Sequence, residues 1–259
     1  MTADLILRQF GENQVAGFLL VLGRIGPLFA LAPLFSSHLI PARAKGLCAV
    51  ALTVGIAPIA TGAQHIPLDI LAFGELMLKE ILVGLAFAFA LAALFAAVST
   101  AGSFLDTLIG FSFGALVDPV TGNQSAVLTQ AYILVGLLVL IAIGGDQLMI
   151  KGLARSYHFV PLLASPALPT LVAGVQQAFA QVFLSALELC GPVVLAIVVT
   201  DGAFGVVSRV VPQLNVFAVG FPAKVTVGLL IIGVSLPFTA NWMADEMQRS
   251  VSTALHSLS

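Results

Sequence analysis

The chain has 259 residues, 59% of them hydrophobic and only 8% charged, with a mean hydropathy of +1.11; that composition excludes a domain that folds in water by hiding its apolar surface. Its 10 Lys and Arg nearly balance 12 Asp and Glu, so no charge excess points to nucleic acid or to an anionic partner surface. Cys48 and Cys190 both sit in apolar runs without metal-ligand spacing, and are expected as small buried hydrophobes.

Six apolar runs occur in chain order: Val15–Phe35, Leu47–Ala60, Ile81–Val98, Ala126–Gly145, Val182–Val199 and Val216–Leu236. The first holds Ala30-Leu31-Ala32, which is like a signal-peptidase site. It nevertheless carries Arg24 at its middle, exceeds a signal h-region in length, and comes after an Arg8 flanked by Asp4 and Glu12, so it is expected to remain in the mature protein. A bilayer leaves no water for backbone amides, so these runs must be helices or parts of helices and the fold is all-α. Leu47–Ala60 spans 14 residues where a crossing needs about 20, and is expected to be re-entrant or shielded by protein. With six alternating crossings, Arg8, Lys151, Arg155 and Arg249 would face Arg43, Lys45 and Arg209 across the membrane, which gives no positive-inside signal. The long connectors are Ser99–Ser125 and Asp146–Ala178; Pro161, Pro166 and Pro169 make the second the expected boundary between four hydrophobic segments and a C-terminal hairpin.

Charges in or beside the apolar runs are the informative anomalies: Arg24, Lys79, Glu80, Glu188 and Lys224. Each would cost about 2.5 to 3.5 kcal/mol at mid-membrane, so each needs a partner, water, or surroundings other than lipid. Lys79 has Glu75 four residues earlier, the favourable order for a helical ion pair at a membrane edge. Arg24 and Glu188 fit a salt bridge inside the protein as well as they fit a functional role. Lys224 lies midway between Gly220 and Gly228 on one helix face, where a neighbouring helix could approach closely around a buried cation.

The same four-residue step joins Gly102, Asp106, Gly110 and Gly114, so the glycine face from Gly102 to Gly110 is expected to pack tightly against a neighbour. Pro119 disfavours helix at Asp118, which makes 110–122 a loop of Gly110, Phe111, Phe113, Gly114, Leu116, Val117, Asp118, Pro119 and Gly122. A loop so apolar belongs inside a protein cavity or across a pore, though a buried connector would read the same way. Motifs for nucleotide binding, metalloproteases and serine hydrolases are absent, and Asp106 with Asp118 lacks the surroundings of an intramembrane aspartyl protease. No catalysis and no cofactor are expected. A secondary transporter using Arg24, Glu80, Glu188 and Lys224 would call for internal symmetry, which the sequence does not display.

Several stretches together resemble one family, the R-type export-gate subunits of bacterial type III secretion, called FliR in flagella and SctT in injectisomes. The most specific runs from Asp201 through Arg209, Pro212, Asn215, Phe217, Gly220 and Pro222 to Lys224. Others are Arg24 with Pro33 and Phe35, Pro41 with Lys45, Glu80 with Gly84, Gly102 with Asp106 and Gly110, Asp118-Pro119, and Ser156 with Pro161. Gly144-Gly145-Asp146-Gln147 departs from the family, where a His-containing turn is expected. The resemblance implies a helical, funnel-like channel built with P-type and Q-type subunits, FliP and FliQ in flagella, together with FlhB and FlhA. It implies a P-like part over 1–170 and a Q-like hairpin over 171–259, with 110–122 as the segment that plugs the channel. The cargo implied is unfolded flagellar protein, with effectors of an injectisome as the alternative, and the place implied is the bacterial inner membrane at the flagellar basal body.

Overall fold

The computed structural model describes residues 11–37, 40–62, 66–111, 126–165, 167–213 and 215–258. Among them seven helices succeed one another: α1 (Glu12–Leu31), α2 (Ala42–Thr61), α3 (Ile70–Ile109), α4 (Val127–Ala142), α5 (Gly145–Phe159), α6 (Leu168–Val210) and α7 (Val216–His256). Five of these, α1, α2, α3, α6 and α7, are long and apolar enough to cross a membrane. A sixth crossing results if α4 and α5 form one broken span.

The helices outrun the apolar runs because polar residues at their ends still form helical hydrogen bonds. The short run Leu47–Ala60 is thus the apolar part of α2, whose 20 residues meet the length of a crossing. Pro41 precedes the helix with its φ already fixed, Arg43 and Lys45 occupy the first turns, and Gly62 at φ 50° ends it. Only 11% of this span is buried within the chain, against 50% of α1. Cys48 is correspondingly exposed, contrary to expectation, while Cys190 is buried. Parts of the expected connectors are helical: α3 carries on through Ser99 to Ile109, and α5 and the start of α6 fill most of 146–178.

Local chemistry sets the ends. Asp69 accepts a hydrogen bond from the Ala72 amide at 3.4 Å ahead of the 40 residues of α3, and Asn215 accepts one from Ala218 at 3.1 Å at the start of α7. Gly144 breaks α4 from α5 in the left-handed region, at φ 69°. Pro169 sits in the first turn of α6, where its missing N–H is not needed.

The chain forms two compact units. One comprises Met1–Ala93, Gly144–Phe179 and Met247–Ser259; the other comprises Leu94–Ile143 and Ala180–Glu246. The first packs Val83, Val160, Leu171 and Leu258 together. There the Gly84 backbone of α3 lies so close to the Arg24 carbonyl of α1 that a side chain could not fit. The second unit gathers Leu105, Ile109, Tyr132, Leu189, Val193 and Ile197 in its core. Gly102 meets Thr129 there, where an added Cβ would lie 2.5 Å from the Thr129 Cα.

Candidate functional site

In the first unit, Arg24 on α1 is wholly buried, and Glu80 on α3 is 2% exposed. Their contact is bidentate: Nε donates to Oε2 at 2.6 Å and Nη2 to Oε1 at 2.8 Å, the planar fork that favours arginine over lysine. Nη1 donates to Ser156 Oγ at 3.2 Å and Nη2 to the Val160 carbonyl at 2.9 Å. The guanidinium carbon also stands 4.1 Å above the Tyr157 ring. One cation therefore ties α1, α3 and the end of α5 together, and its carboxylate partner offsets the cost of burying it. Neither Ser156 nor Tyr157 carried a signal as its partner, although Ser156 stood among the family-like residues.

One residue earlier on α3, Lys79 Nζ lies 2.6 Å from Glu75 Oε1, the expected four-residue pair. It also donates to Ser165 Oγ at 2.9 Å.

In the second unit, Asp106 is 1% exposed and performs a task its spacing did not reveal. Its carboxylate accepts from the Leu128 and Thr129 amides, each at 3.0 Å, and from Thr129 Oγ1 at 2.9 Å. Helix α4 has no capping side chain of its own, so Asp106 satisfies its first amides from a different helix. Gly110, at φ 103°, closes α3 with its N–H on the Asp106 carbonyl at 3.2 Å.

Lys224 is half-buried and pairs with Asp201 at 2.5 Å, so the cation expected on a packing face is neutralised within the chain. Both members belong to the family-like block, yet nothing in their spacing of more than twenty residues announced the pair. They line a groove of about 440 Å³ with Gly110, Gly220, Phe204 and Phe221. Gly228 packs on Ile109, whose Cδ1 would lie 2.5 Å from an added Cβ. Glu188 is exposed and accepts from Trp242 Nε1 at 3.1 Å. Arg209 is exposed in the last turn of α6, where a cation suits the helix dipole. Phe111 packs against the second unit's core. Phe113, Gly114, Leu116, Val117, Asp118, Pro119 and Gly122 lie outside the described residues. Among the described residues, no group of three or more His, Cys, Asp or Glu could hold a metal ion.

The family of bacterial export proteins, family 1, matches residues 15–250. This chain belongs to that family. Export proteins similar to it include the flagellar biosynthetic protein FliR of Escherichia coli K12, 30% identical over 84% of this chain and 83% of the relative. FliR of Bacillus subtilis is 32% identical over 85% of each. The surface presentation of antigens protein SpaR of Salmonella typhimurium is 26% identical over 85% of this chain and 83% of its own length. The matched export-family region takes in the partnered charges Arg24, Glu80, Asp106, Asp201 and Lys224.

Proposed function

We propose that the chain is a subunit of the flagellar type III export gate, a membrane conduit for unfolded flagellar proteins that catalyses no reaction itself. The observation that carries this reading is the match over most of the chain to proteins named flagellar biosynthetic protein FliR. Long apolar helices whose outward residues, such as Leu195 and Val234, stay exposed in a single chain support a subunit completed by neighbours. Those neighbours are P-type and Q-type subunits, FliP and FliQ, with FlhB and FlhA close by, in the bacterial inner membrane at the flagellar basal body. Residues 1–170 act as the P-like part and 171–259 as the Q-like hairpin. Segment 110–122 is the plug: Phe111, Phe113, Leu116 and Val117 seal against ions, and Gly110, Gly114 and Gly122 give the backbone freedom to move aside. Energy comes from elsewhere, since the sequence has no nucleotide-binding motif.

The SpaR relatives support a second reading, an injectisome gate subunit exporting effectors; the higher identity to FliR of two distant bacteria favours the flagellum. A transporter route through Arg24 and Glu80 is disfavoured, because the two are shut away from solvent and satisfy one another. The test is to tag the chain in its native host, extract it in mild detergent and weigh what co-purifies at stoichiometric levels. Flagellar P-type and Q-type subunits are the expected result. Injectisome subunits would move the assignment to the second reading, and the chain alone or as a simple homo-oligomer would overturn both.

A further inference from the structure

The first unit contains a groove of about 350 Å³ whose walls, apart from Gln176, are apolar side chains, chiefly Leu82, Leu85 and Phe89 of α3 and Leu168, Leu171 and Val172 of α6. Just beyond the Leu82 and Leu168 end of this lining lie two polar side chains that are not part of the walls. Lys79 stands one turn before Leu82, and Ser165 three residues before Leu168, and the two touch. That end also precedes the charge-free stretch of each helix: after Glu80 no Asp, Glu, Lys or Arg occurs on α3 until Asp106, nor on α6 until Glu188, the pattern of a helix end at a membrane interface.

The donor count is what suggests an occupant. Lys79 Nζ has three N–H groups and, among the described residues, directs two of them to Glu75 and Ser165. Ser165 accepts in that bond, its own O–H has no acceptor among the described residues, and its side chain is exposed. An ammonium and a hydroxyl side by side, each with a donor left over, are chemistry for a phosphate. The Glu75 carboxylate beside them, 66% exposed, repels a second anion and favours a cation a short arm beyond the phosphate. The stretch of α6 from Leu168 to Gln176 gives the groove a length of about 12 Å, and its walls short of Gln176 offer an acyl chain apolar contact.

We propose that this groove is a binding site for one phospholipid with a zwitterionic, amine-bearing headgroup. Lys79 and Ser165 hold the phosphate, Glu75 receives the ammonium, and one acyl chain lies between α3 and α6. The site stands apart from the export reading and does not depend on it.

To test this, the full chain is reconstituted into nanodiscs of equal phosphatidylethanolamine and phosphatidylglycerol, released into mild detergent and weighed by native mass spectrometry. One phosphatidylethanolamine retained per chain is expected. Lys79→Ala should lower that retention by about tenfold, as loss of a hydrogen bond to a charged group does, and Ala86→Phe should lower it by filling the groove. Lys79→Arg should keep the lipid. Glu75→Gln should shift the retained species towards phosphatidylglycerol, a change in selectivity that a merely structural Glu75 would not produce. Wild-type chain released free of lipid, or retention unmoved by both Lys79→Ala and Ala86→Phe, overturns the site. Preferential retention of phosphatidylglycerol by the wild type overturns the headgroup assignment. A photoactivated side chain at Leu85 that labels polypeptide and no lipid would assign the groove to a partner helix instead.

Discussion

Arg24 is a buried charge made tolerable by its partner, and losing either member strands the other. Arg24→Ala leaves the Glu80 carboxylate in a pocket built around a cation, a change expected to cost about 3 to 5 kcal/mol. Thermal unfolding in detergent should register it as a large drop in midpoint. Arg24→Lys should recover only part, because an ammonium cannot reproduce the fork on Glu80 while also reaching Ser156 and the Val160 carbonyl. Equal stability of wild type and Arg24→Ala would mean that the pair does not hold α1 to α3. Lys224 is a contrasting case, since Asp201 opposite it is 46% exposed and pairs of that kind contribute little to folding. Lys224→Met is therefore expected to leave the unfolding midpoint nearly unchanged while weakening association with the other gate subunits, read as reduced co-purification. Undiminished co-purification would confine Lys224 to its contact with Asp201.

Helix α4 depends on another helix for its first turn, and that dependence can be measured. Asp106→Ala removes the acceptor for the Leu128 and Thr129 amides, with an expected loss of about 1 to 3 kcal/mol from stranded buried donors. Amide hydrogen exchange at the start of α4 should quicken more than exchange in α6; uniform exchange would show that the cap is dispensable. The segment after α3 carries the other prediction at this scale. Deleting Phe111 to Thr121 should raise ion leak without abolishing assembly, and unchanged conductance in cells carrying the deletion would exclude the plug. Within each element, sequence reading caught what is local in the chain: the apolar middles of the helices and the Glu75 to Lys79 step. It stopped short at helix ends because hydropathy detects the apolar stretch and not the helix, so Arg43, Lys45, Asp106 and Arg209 fell outside runs whose helices contain them. It could not pair Arg24 with Glu80, or Lys224 with Asp201, because those partners meet only through packing. Asp106 was singled out for its spacing with glycines, and its role as a cap became visible only when α4 was in place.

For the molecule as a whole, composition alone led to a membrane protein and the family-like blocks to an export subunit, but neither indicated how much of each helix one chain would leave uncovered. The exposed faces include Leu47, Val54 and Ile59 on α2, each a large apolar residue. Their cover must come from lipid, detergent or neighbouring subunits, and the two cysteines offer a way to tell these apart. Cys48 lies on that open face of α2, while Cys190 is in the second unit's core. A membrane-permeant maleimide should therefore label the isolated chain in detergent at Cys48 and spare Cys190, with Cys48→Ser abolishing the signal. In the gate complex taken from the native host, the same reagent should find Cys48 protected, because a packed protein neighbour excludes it while mobile lipid or detergent does not. Equal labelling of Cys48 in both preparations would mean that α2 faces lipid, and the partner contacts would then have to lie on α6 and α7, whose open faces carry Leu195, Val206, Leu230 and Val234.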